Sequence, residues 1–176
     1  IIDTGKAWLY KTKTDDGESI LEKITRWLMR KPGRIRVFSL VTVLYRKTRV
    51  NQLFKLSGLS KLAGLQAIDK YSNNIQPQKK WCEYYPSVRQ ERGKVAMFMG
   101  CISRVADSET IQSSIDVLNK LGYSVYVPEH QTCCGALDYH SGDQEHAMQM
   151  IRENVEVFSG YDIDAIISTS SGCGGF

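Results

Sequence analysis

Four cysteines in the second half of this 176-residue chain are the residues best suited to chemistry: Cys101, Cys133, Cys134 and Cys173. Two of them are adjacent, inside the stretch HQTCCGALDYHSGD at 130–143. Thiolates are soft ligands that select zinc, copper(I) or iron–sulfur clusters. Structural zinc sites generally use a short C-x2–4-C knuckle that holds two thiolates on one ion. Neighbouring side chains tend to diverge, so Cys133 and Cys134 suit a polynuclear cluster better, each reaching a different iron. Gly100, Gly135, Gly172 and Gly174 let backbone approach closely and offer N–H groups to sulfur. Iron–sulfur therefore stands ahead of zinc, and zinc remains the alternative. Five cysteines make an odd total, two are adjacent, and no export signal of the basic-apolar-small type is seen. Reduced thiols fit this pattern better than a disulfide framework.

Other candidates surround the pair. His130 and His140 flank it, and histidine is a good ligand. A loop histidine is more often hydrogen-bonded or solvated, and His146 reads as a surface residue. Asp138 and Asp143 read as caps or turn residues. Arg104, near Cys101, is placed to offset the charge of a cluster. Cys82, beside Trp81, reads as a free thiol.

The elements that must position the cysteines form β-α-β-loop-α-β. KVAMFMG, starting at Lys94, is an apolar run ending in glycine, as in a buried parallel strand. SETIQSSIDVLNKLG follows as a helix, with Asp107 or Ser108 as its cap, Ile111, Ile115 and Leu118 on its apolar face and Gly122 as its stop. YSVYVPE is a second strand ended by Pro128. GDQEHAMQMIRENVEVFSGY is a second helix, capped by Asp143 and stopped by Gly160. IDAIISTSS is a third strand. Alternation of this kind predicts a parallel α/β sheet with right-handed crossovers. Each cysteine site follows one strand. The three loops then share the sheet edge beyond the carboxyl ends, where such sheets bind ligands.

The first half differs in charge and rhythm. Residues 1–93 hold 19 Lys and Arg against 8 Asp and Glu, whereas residues 94–176 hold 4 against 11. GESILEKITRWLMRK sets Ile20, Leu21, Ile24, Trp27 and Leu28 on one helical face with charge opposite. Pro32-Gly33 breaks this helix, and IRVFSLVTVLYRKTRVNQLFKL and GLSKLAGLQAIDKY continue as helix. The expected division is a helical connector at 1–71, a linker at 72–93 containing Cys82, and an α/β domain at 94–176. A basic face of this size suits an acidic partner, an anionic membrane surface or nucleic acid, and a solvated helical face is the plain alternative. WCEYYP is weak support for nucleic acid, and no nucleic-acid motif is found, so no such partner is expected. No apolar run reaches the roughly 18 residues a membrane span needs. The chain starts IIDTGK without Met and stops at SGCGGF, which reads as two cut ends.

The stretch from GCISRVADSETIQSSIDVLNKLGYSVYVPEHQTCCGALDYHSGD to DAIISTSSGCG resembles the cysteine-rich CCG domain. That domain occurs in heterodisulfide reductases and in Fe–S oxidoreductases. The nearest likeness is the iron–sulfur subunit branch of glycolate oxidase, where CCGAL..H.GD and SGCG look similar. The family pattern closes on Cys-x-x-Cys, but position 176 here is Phe, which favours the single-cysteine branch and argues against a five-thiolate cluster. The resemblance implies that residues 94–176 are a truncated first CCG domain, with Cys101, Cys133, Cys134 and Cys173 as ligands of a [4Fe-4S] cluster. It implies an electron-transfer subunit of an oxidoreductase, with no catalytic residue of its own. FAD and the oxidation of a 2-hydroxy acid such as glycolate would belong to a partner subunit, and a quinone or another acceptor would take the electrons. A cytoplasmic location follows, free or peripheral on the membrane face. The rivals are a zinc-stabilised α/β module without redox work, and a thiol-exchange enzyme, which would need one exposed thiol of depressed pKa.

Overall fold

The computed structural model describes residues 20–48 and 75–175. The helix expected over GLSKLAGLQAIDKY lies outside them. Helix α1 (Ile20–Met29) and helix α2 (Pro32–Lys47) are separated by Arg30 and Lys31. Pro32 opens α2, where its missing N–H is no loss because first-turn N–H groups have no intrahelical partner. The β-branched run in α2 is helical. Its buried hydroxyls turn back on the helix, Ser39 Oγ donating to Arg36 O at 2.8 Å and Thr42 Oγ1 to Phe38 O at 2.8 Å.

The orientation of α1 follows its charges. Arg26 is buried at 8% exposure, while Ile20, Ile24 and Trp27 are exposed. The reason is ionic. Arg30 donates to Asp138 Oδ1 and to Asp143 Oδ2, both at 2.6 Å, and those two carboxylates are 2% and 4% exposed. Buried carboxylates need cationic partners, and Arg30, just past the end of α1, supplies one, with Arg26 of α1 3.9 Å from Asp138. In α2 likewise, Ile35, Ser39 and Thr42 are buried, whereas Val37, Leu40, Val41 and Leu44 are exposed.

The second half is a four-stranded sheet of order β1-β3-β2-β4, made of β1 (Tyr84–Tyr85), β2 (Gly93–Phe98), β3 (Tyr123–Tyr126) and β4 (Ala165–Ser168). β2 pairs in parallel with both β3 and β4, with Val95 opposite Val125 on one side and Ala165 on the other. The edge strand β1 pairs antiparallel with β3, in the segment the sequence reads as linker. Two tyrosines before Pro86 are too short a run to show period-2 alternation, which hid this strand.

Short helix α3 (Ser103–Ala106) precedes α4 (Ser108–Lys120), and α5 (Ala136–Ser141) precedes α6 (Gln144–Ser159). Alternation along β2 sends its side chains to two cores. Val95, Met97 and Met99 join Val125, Val127 and the α4 residues Ile111 and Ile115, with Leu118 packed against them. Ala96 and Phe98 join Phe158 of α6 on the other face. Asp143 caps α6, accepting from His146 N at 3.4 Å. The molecule is thus mixed α/β, with a mostly parallel sheet preceded by helices. Among the described residues no helix is long and apolar enough to cross a membrane.

Candidate metal centre

The chain runs from β2 to its neighbour β3, then crosses to the far side of β2 to form β4. Loops leaving β2 therefore diverge from loops leaving its neighbours, which opens a crevice beyond the strand ends. Cys101 follows β2, Cys133 and Cys134 follow β3, and Cys173 lies in the short helix α7 (Ser171–Gly174) after β4.

The structure brings these four thiols into one line. Cys173 lies beside Cys134, Cys134 beside Cys133, and Cys133 beside Cys101, close enough for each to shift its neighbour's acidity. Their acidities follow from this order. Cys101 is held below the ordinary thiol range, first because it accepts from Cys133, against the effect of burial. Cys133, which must give up its bond to Cys101 to ionise, is pushed up to about 12. Cys134 is raised for the same reason by its bond to Cys133, and Cys173 is raised by its bond to Cys134. Backbone amides of Ile102, Gly135 and Ala136 point at the sulfurs of Cys101, Cys133 and Cys134 and favour their thiolates.

Two buried amide side chains that the sequence reading missed hold the loops. Gln131 is fully buried, and its side chain accepts from Met99 N at 2.7 Å while donating to Met97 O and Pro128 O. It ties the exit of β2 to the exit of β3. Asn154 of α6 accepts from Thr132 N at 2.8 Å and donates to Cys133 O at 2.9 Å. Asn154 carried a signal, because it replaces an apolar residue in the buried α6 stripe Ala147, Met150, Asn154, Phe158. A polar residue in such a stripe needs partners when buried.

Gly135 completes the local fit. Its φ is +91°, and a Cβ there would stand 3.0 Å from Ala147 O. Both the turn and the approach of α6 demand glycine. At Gly100, φ is +64° and a Cβ would meet Cys173 Sγ at 3.5 Å, so the first and last thiol loops touch here.

Arg104 is 6% exposed, and Nη2 donates to Gln131 O at 2.9 Å, but Nε is buried without a partner. Burial lowers its pKa, while Cys101 and Cys133 pull it back up. A buried guanidinium in this state calls for nearby negative charge.

The remaining candidates lie apart from the thiol line. His130 and His140 are exposed, and His146 is bonded through Nδ1 to Asp143 at 2.9 Å. Asp138 and Asp143 face Arg30. Cys82 is exposed beside β1. Among the described residues, no three His, Cys, Asp or Glu side chains are gathered as a single ion requires. Four thiols with the buried cation Arg104 beside Cys101 and Cys133 have the donor chemistry of a soft, thiolate-held group that is negative overall.

Residues 95–176 match the family described as Cysteine-rich domain, CCG. The chain is 27% identical over 91% of its length to the "Probable glycolate oxidase iron-sulfur subunit" of Bacillus subtilis. It is 35% identical over 52% of its length to the glycolate oxidase iron-sulfur subunit of Escherichia coli. It is also 31% identical over 46% of its length to lactate utilization protein A of Bacillus cytotoxicus. The chain spans 37%, 23% and 33% of these relatives. No solved structure matches it. The thiol-bearing residues 95–176 are thus the part of this chain that matches the CCG cysteine-rich domain.

Proposed function

We propose that Cys101, Cys133, Cys134 and Cys173 hold an iron–sulfur cluster through which this chain passes electrons. The observation that carries this reading is the placement of four thiols after three parallel strands at one sheet edge, with the Cys101 and Cys173 loops in contact at Gly100 and Arg104 beside Cys101 and Cys133. The relatives named as iron-sulfur subunits of glycolate oxidase support it. In the finer form of the proposal, the chain belongs to an oxidoreductase complex whose flavin subunit oxidises a 2-hydroxy acid, glycolate or lactate, and delivers electrons towards a quinone. The chain itself holds no hydroxy-acid site in this reading. The cluster would supply one-electron transfer when bound.

The chain's residues divide that work. The four thiols lose their protons on loading and become ligands. Gln131 and Asn154 fix the loops, so the ligands are held in place by bonds within the fold. Arg104 offsets the negative charge of the thiolates. Residues 94–176 act as the cluster-bearing unit, with the helices before it as connector.

The test is anaerobic reconstitution with iron and sulfide, followed by a visible spectrum and iron, sulfide and zinc analysis. The expected product is brown, with matched iron and sulfide, and the colour is lost in Cys133→Ser and in Cys134→Ser. A colourless chain retaining one zinc would overturn the electron-transfer reading and leave a structural module.

A further inference from the structure

We propose that a second site, a cleft of about 360 Å³ bounded by α2, residues 78–83 and the exits of β2 and β3, binds a small organic anion. Its ligand is a carboxylate or phosphate monoester carried on a flat apolar body. The cleft lies within the volume range of small-molecule sites.

Four cations line it: Arg36, Lys79, Lys80 and Arg104. Arg36 and Lys80 are exposed and have no ion pair among the described residues. Lys79 is anchored, its Nζ donating to Gln112 Oε1 at 2.5 Å while standing 4.8 Å from the centre of the Trp81 ring. Two carboxylates, Glu83 and Glu129, also line the cleft, and Glu83 is engaged by Tyr161 OH at 2.6 Å. Cations therefore exceed carboxylates, and one of the two carboxylates already has a donor.

The walls also select. Trp81, Met99, Val127 and Pro128 are apolar surfaces, which favours an organic body over a bare ion. Trp81 Nε1 and Arg104 Nε are both buried without acceptors. A buried N–H left unpaired is destabilising, and an anionic oxygen is an acceptor that would suit both. Arg104 is shared with the thiol line, but no step of the proposed electron transfer uses Arg36, Lys80 or Trp81, so changes at those three residues test the cleft apart from the cluster.

The test uses the 176-residue chain without metal, so its outcome does not depend on the cluster reading. Benzoate, phenyl phosphate, inorganic phosphate and neutral benzamide are titrated, with tryptophan fluorescence and calorimetry as readouts. We expect saturable one-site binding of benzoate or phenyl phosphate, with benzamide and inorganic phosphate at least about tenfold weaker. The Arg36→Gln/Lys80→Gln double variant, altered only at exposed positions, should weaken binding by a further tenfold or more. Arg36→Gln alone serves if the double variant misfolds. Trp81→Phe should remove the fluorescence change. Absence of saturable binding, or equal binding by the charge variants, would overturn the site. Equal binding of benzamide would refute its charge selectivity, and equal binding of inorganic phosphate its apolar one.

Discussion

In the sheet, Met97, Ile111, Ile115 and Val125 are buried without remainder, and alternation along β2 feeds apolar side chains to a core on each face. In the α1–α2 pair, Arg26, Ser39 and Thr42 face inward while Ile24, Trp27, Val41 and Leu44 face out. The sheet is thus held by apolar burial, at roughly 25 cal/mol per Å² removed from water. The helices are attached by buried charge, through Arg30 to Asp138 and Asp143. The difference shows that part of the basic surplus of residues 1–93 is used inside the molecule. It neutralises two carboxylates of the acidic half, next to the loop that carries Cys133 and Cys134.

The most damaging change to this arrangement should be Asp138→Ala. It takes one of two carboxylates from Arg30, which keeps Asp143, and the nearby one from Arg26, and removing one partner of a buried pair costs up to about 3–5 kcal/mol. Urea unfolding should show that loss, and limited proteolysis should show α1 becoming cleavable while the sheet resists. A loss below about 1 kcal/mol would mean that the helices are held by something else.

On the sheet side, Gly135→Ala should cost roughly 1–3 kcal/mol, because alanine must adopt φ +91° against the backbone of α6. The loss should appear in urea midpoints together with weakened uptake of thiol-seeking metals. Unchanged metal uptake would separate the turn from the thiol line.

A third comparison uses pH. Cys133 has its pKa raised from 9.0 to about 12, and Cys134 and Cys173 are raised in the same direction. The folded chain keeps these protons where the unfolded chain loses them. Their stabilising contribution is complete below about pH 9 and declines as pH rises towards about 12. Cys101, with its lowered value, opposes the trend. The metal-free chain should thus lose urea stability from pH 8 to pH 10, and Cys133→Ser should flatten that slope. Metal loading should run the other way and weaken as pH falls, since ligation must displace the same protons.

The smallest effect is expected at Ile24→Gln on the outer face of α1, within about 0.5 kcal/mol. The same kind of change at Ile115, which is fully buried, would be far more costly. A large loss at Ile24 would show that its face is covered in solution.

The parallel strands and the helices α4 and α6 were legible because their apolar periods are clean and their ends carry Asp107, Gly122, Asp143 and Gly160. The shared sheet edge followed from that alternation. The outward turn of Ile24 and Trp27 was not legible, since it depends on a partner 108 positions away from Arg30. Local amphipathicity shows that a helix has two faces and leaves open which one a distant carboxylate will claim. Gln131 was hidden for a related reason. A glutamine in a loop is ordinary until the ends of two strands close around it. Asn154 could have been found as the polar break in an apolar stripe.

The crossing of the chain over β2 has a consequence in time. Cys101 and Cys173 stand at opposite ends of the sheet's construction, 72 positions apart. At synthesis rates of about 5–20 residues per second, the first thiol leaves the ribosome roughly 4–14 s before the last. Any cofactor offered early would meet an unfinished set of ligands. Only the completed chain sets all four thiols beside one another at the sheet edge. Assembly on this scaffold is therefore a late event that follows the last strand.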